Sequence, residues 1–130
     1  MAFAVVQNSL PAQTAGGATS TTMVGDVPTQ EAQATFQPTK LSLTSPSLVT
    51  GVATNNATFN FRQMRAGVSQ ATIGTLTLGS GTNLAAEVET NVPITGAPIL
   101  LPGDVVDVQM VQNGTGLVIP VGVIAKAEMA

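Results

Sequence analysis

The sequence predicts an all-β fold, an antiparallel β-sandwich or jelly-roll-like barrel preceded by an extended N-terminal arm. Three observations carry this expectation. After Lys40 the chain runs in short stretches whose apolar residues recur with a period of 2. Those stretches are separated by Gly, Asn and Pro at intervals that suit a sandwich or barrel. No helical stretch of ordinary length is present, since LAAEVE is short and the proline of TNVP follows it.

Seven strands are expected between residues 40 and 130. LSLT places Leu41 and Leu43 on one face, and SLVTGVAT follows. In ATFNFRQM, Phe59 and Phe61 alternate with Thr58, Asn60 and Arg62, so both rings point to one side. TIGTLTLG sets Leu76 and Leu78 against Thr75 and Thr77, and AAEVET sets Val88 between Glu87 and Glu89. DVVDVQMVQ turns Val106, Val108 and Met110 to one face and Asp107, Gln109 and Val111 to the other. GLVIPVGVIAKAEM completes the set. The expected core is therefore aliphatic with two Phe rings, held by many modest contacts.

Residues 1–39 differ in composition. Pro11 to Pro38 is rich in Ala, Thr, Gly and Gln with three prolines and no sustained period. Two expectations stand for this segment: a disordered terminus, or an arm that becomes ordered by lying along a neighbouring subunit. In the second case Phe3, Val5, Val6, Leu10 and Phe36 are the anchors, as the arm's larger apolar groups.

Composition excludes several function classes. The 130 residues are 8% charged, with four basic and seven acidic side chains and a net charge of −3. A phosphate-tracking groove draws on clustered Lys and Arg, so no nucleic-acid partner is expected. Without Cys or His there is no disulfide, thiolate nucleophile, Cys-based zinc site or histidine base, and the usual hydrolytic triads cannot be built. No enzymatic activity and no cofactor are expected. The lack of Trp and Tyr removes the usual stacking platforms for sugars and bases. The AFAVV run near the N-terminus is too short for a secretory signal, and no stretch reaches the ~20 apolar residues of a membrane span. The expectation is a soluble chain with no membrane partner.

The segment LLPGDVVDVQMVQNGTGLVIPVGVI holds the acids and glycines that most resemble a site. Asp104 lies in PGD, where with Gly103 it forms a turn and its carboxylate caps backbone N–H groups. Asp107 falls on the solvent face of its strand, and its substitution by Asn is expected to matter little. A calcium site needs six or more oxygen ligands, and too few acids are available to supply them. NGTG lacks the helix that a phosphate loop needs behind it. Asn113 and Gly114 instead tolerate positive φ and predict a hairpin turn. GSGTN is a turn by the same argument. The two sequons, at Asn56 and Asn113, are expected to be coincidental in so Thr-rich a chain.

Taken in order, NNATFNF, ATIGTLTL with its following Gly-Thr-Asn-Leu, PGDVVDV and GTGLVIP resemble a small β-sandwich unit of tailed-bacteriophage structural proteins. The likeness is to capsid decoration (cement) and head-fibre proteins, and it extends from Leu48 to about Ala125. The resemblance implies a virion structural protein made in the host cytoplasm and placed on the outer capsid surface. Its implied partners are the lattice of the major capsid protein and further copies of itself, with a trimer as the working expectation. A tail or fibre component, or a receptor-binding module, is the alternative the same resemblance leaves open.

Overall fold

The computed structural model describes residues 3–29 and 35–130. Eight strands form: β1 (Ala4–Leu10), β2 (Ser20–Asp26), β3 (Pro38–Thr44), β4 (Ala57–Arg65), β5 (Val68–Thr77), β6 (Glu89–Val92), β7 (Val105–Gln112) and β8 (Val123–Met129). No helix forms among the described residues, so none is long and apolar enough to cross a membrane. The strands make two four-stranded antiparallel sheets, ordered β1-β8-β3-β6 and β2-β7-β4-β5. The all-β sandwich expected from the period of 2 is the architecture observed.

Alternation decides which face each strand buries. In β8, Val123, Ala125, Ala127 and Met129 are buried while Ile124, Lys126 and Glu128 are only partly so. In β4, Ala57, Phe59 and Phe61 face inward, and β7 turns Val106, Val108 and Met110 to meet them. Both Phe rings are fully buried. Of the residues expected inside, Leu76 alone is half-buried, packed against the rim of the core. β5 is an edge strand whose register shifts twice against β4, and Ile73 rather than Leu76 takes the deep position.

The chain before Lys40, expected as an arm outside the sandwich, supplies two strands and part of a third. β1 pairs along its whole length with β8, from Ala4 opposite Met129 to Leu10 opposite Val123, and β2 pairs with β7. Leu10, Val24, Val27 and Phe36 lie in the same core as the Phe rings. These segments look structureless in sequence because both are edge strands that bury few residues. β2 buries only Val24.

Other differences have similar local causes. SLVTGVAT is a loop, joined to the 78–88 segment by the Val49–Leu84 bridge and by the Val52 N–H donating to the Leu78 carbonyl. Asn113 and Gly114 form a turn, with φ of 64° at Gly114, yet they do not close a hairpin: β7 and β8 belong to opposite sheets, and residues 113–122 cross between them. The tight hairpin is instead at Ala66 and Gly67, both at positive φ, between the paired ends Arg65 and Val68.

The winding sorts the loops. Those after β1, β3, β5 and β7 (residues 11–19, 45–56, 78–88 and 113–122) share one end of the sandwich. Phe3, Ala130, the β4–β5 hairpin and the β6–β7 loop lie at the other.

Candidate functional site

Chemistry would be expected at the charged side chains. On the outer face of the second sheet, Arg62 of β4 is directly across from Asp107 of β7. The guanidinium donates from Nε to Oδ1 at 2.9 Å and from Nη2 to Oδ2 at 2.8 Å. This paired geometry raises the Arg62 pKa against the opposing effect of partial burial. Asp107 therefore lies on the face expected for it but is not an open surface carboxylate, being only 7% exposed.

Asp104 is buried more deeply, at the end of the sandwich away from the four-loop cluster. It caps its turn as expected, accepting the Leu101 N–H at 2.9 Å, with Gly103 beside it at φ 88°. It also accepts from Gln63 Nε2 at 2.7 Å and from Arg65 Nε at 2.8 Å. Burial opposes its ionisation, but Arg65, the Leu101 N–H and Gln63 together hold its pKa down at about 2. Gln63 continues the inward row of Phe59 and Phe61, so this polar cluster closes one end of the core.

The first sheet carries its own network. The carboxylate of Glu89 on β6 accepts from Lys40 of β3 and, at 2.7 Å, from Lys126 of β8. Lys126 foremost, then Lys40, lowers the Glu89 pKa to about 2. Ser42 donates to the same carboxylate and is buried beneath the ions. All four cations of the chain are thus engaged with carboxylates of the same chain. Neither Asp104 nor Asp107 can bind a metal without displacing an arginine.

The four-loop end is built differently. Its segments contain one charged residue, Glu87, and no cation. Leu48, Val52, Val88, Val118 and Val121 are exposed there, the last two by 66% and 70%. The loops are tied side to side. Gln13 and Ile119 exchange backbone hydrogen bonds at 2.9 and 2.8 Å, joining 11–19 to 113–122. Asn56 and Asn113 do the same, and the Asn113 side chain also donates to Asn56 Oδ1 at 2.8 Å and Thr58 Oγ1 at 2.9 Å. Val49 and Leu84 exchange bonds at 2.9 Å, and Gly51 N–H donates to Asn83 Oδ1 at 2.8 Å. A Cβ at Gly51 would lie 2.0 Å from the Gly79 carbonyl, so the approach of these two loops requires glycine. Asn56 of the first sequon is itself buried, and both amides are turned into the loop bundle.

The proposed anchors divide between core and surface. Leu10 and Phe36 are core residues, Val6 is half-buried against the core, and Phe3 and Val5 are exposed at the end opposite the four loops. A shallow hollow of about 210 Å³ lies on the second sheet near the hairpin, lined by Met23, Met64, Ala66, Gly67, Val105 and Asp107. Sequence reasoning missed the ion pairs, whose partners lie on strands far apart in the chain. The uncharged loops were visible in composition, but not that they gather at one end. The chain matches no known protein family, and comparison with curated proteins and with solved structures gives no match either.

Proposed function

We propose that the chain is a virion structural protein, a capsid decoration protein that binds the outer surface of a phage head and neighbouring copies of itself, with a trimer as the working assembly. The strand order, two four-stranded sheets with the first strand beside the last, is read here as a jelly roll of two wound Greek keys, an architecture used by viral capsid domains. The ordered motifs from Leu48 to about Ala125 point the same way. The observation that carries the reading is the contrast between cations engaged internally and eleven large apolar side chains left exposed among the described residues. Such a surface favours contact with protein over contact with phosphate or a small charged substrate.

A decoration protein needs no catalyst, and we assign none. With neither His nor Cys in the chain and Asp104 and Asp107 each held by an arginine, the residues favour a binding role. Many identical weak contacts on a repeating shell add by avidity. The Asn and Thr amides and hydroxyls of the loop end favour a second reading, a tail or fibre module that touches a receptor.

Immunogold labelling of virions that carry the chain separates the two. Label over the head surface is expected, and label confined to tails or fibres would overturn the decoration role in favour of the second reading.

A further inference from the structure

We infer that the four-loop end is the face that meets the shell, and that its partner there is an uncharged protein surface of hydroxyls, amides and aliphatic groups. The inference rests on the virion reading and adds to it the docking face and the chemistry of the partner.

Charge distribution is the first argument. Loops 11–19, 45–56, 78–88 and 113–122 offer Glu87 alone as a charge, so neither an anionic lattice nor an anionic lipid finds a counter-charge on this end. Burying Thr, Ser, Asn and aliphatic side chains requires only that their hydrogen bonds be remade, which an uncharged protein surface can do. A glycan is fitted less well, because the loops offer exposed aliphatic groups and no aromatic ring.

Rigidity is the second. The loops are linked in the spatial order 11–19, 113–122, 45–56, 78–88 by backbone pairs and by the Gly51 N–H to Asn83. Leu48 lies beside the paired Val49, and Val118 beside the paired Ile119. Their apolar groups are therefore presented by backbone already held in place, which lowers the ordering cost of association. Geometry is the third argument. Phe3 and Ala130 lie at the opposite end, so neither obstructs an approach of the loops to a surface.

The test is co-sedimentation of the full chain and four variants with undecorated heads of the parent phage, at about 50 and about 500 mM NaCl. Leu48→Asp and Val118→Asp place a charge in the docking face, and Phe3→Asp and Val68→Asp do so at the far end. All four positions are well exposed, so melting curves should superpose on that of the parent chain. The expected result is binding that changes less than about twofold with salt, a loss of about tenfold or more for the two loop variants, and full binding for the other two. Loss confined to Phe3→Asp or Val68→Asp overturns the docking face while leaving the decoration role intact. A steep fall of binding with salt overturns the uncharged partner. Failure of the parent chain to bind heads, or its capture by polysaccharide or anionic vesicles instead, overturns both this inference and the reading beneath it.

Discussion

The outer faces of the two sheets and the end opposite the four loops hold all four cations, each against a carboxylate, whereas the four-loop end holds Glu87 and no cation. Both regions are exposed, but they use polar groups for different ends. In the first, Arg62, Arg65, Lys40 and Lys126 join segments that are distant in sequence, covering Ser42 and sealing the core at Asp104. On the loops, backbone pairs and amides fix the shape, and the side chains left outward are, apart from Glu87, aliphatic, hydroxyl or amide groups. A region that must hold together benefits from directional ion pairs. One that must meet a partner benefits from groups that are cheaply desolvated.

The comparison breaks most visibly if the body does not depend on its first strands. Deleting residues 1–26 removes β1 and β2, including Leu10 and Val24, and exposes the flanks of β8 and β7. The truncated chain is expected to lose cooperative unfolding altogether. A melting transition matching that of the full chain would mean that β1 and β2 are dispensable.

Next in size is the core itself. Phe59→Ala should cost roughly 3–5 kcal/mol in equilibrium denaturation, as truncations of buried Phe do. A loss under about 1 kcal/mol would place the ring outside the core.

The ion pairs come third. Arg65→Ala leaves the Asp104 carboxylate with only Gln63 and the Leu101 N–H as partners, and a clear drop in the denaturation midpoint is expected. The same carboxylate sets a pH dependence. Its folded pKa, about 2, lies below the ordinary value of 3.8, so its contribution is full above pH 3.8 and is lost as pH falls through that window. The lost stability is on the order of 2 kcal/mol. Acid titrations of the parent chain and Asp104→Asn should therefore diverge near neutrality and converge toward pH 2. Parallel curves would remove the buried pair from the account.

The smallest effects sharpen the contrast. Asp107→Asn weakens a paired, mostly covered contact and should cost about 1 kcal/mol, more than the negligible change its place on an outer face suggests. Leu48→Asp on the loop end should stay within about 0.5 kcal/mol. Chemical denaturation of both variants checks the order, and a reversed ranking would mean that the loops, not the pairs, hold the body.

Much of the body was legible because alternation survives wherever a strand has one buried face. β4, β7 and β8 show it plainly, and the inward Phe59, Phe61, Val106, Val108 and Met110 follow from it. β1 and β2 were illegible for the same physical reason. β1 buries only Ala4 and Leu10 at its ends, so its middle, Val5 to Ser9, carries no period. The turn at Asn113 and Gly114 was visible, but not that the strands on either side go to different sheets, because turn chemistry does not encode pairing partners. Arg62 and Asp107 are 45 positions apart, and Arg65 and Asp104 are 39 apart, separations at which spacing says nothing about contact. The loop end combines both limits, since its uncharged composition is local while its assembly from four segments is a property of the winding.

Whether recognition belongs to the uncharged loop end is decided by imaging a decorated head at a resolution that orients the sandwich. Residues 45–56 and 113–122 are expected against the shell, with Phe3 and Ala130 directed away from it. Density with the β4–β5 hairpin and the chain ends against the shell, and the four loops facing outward, would contradict it.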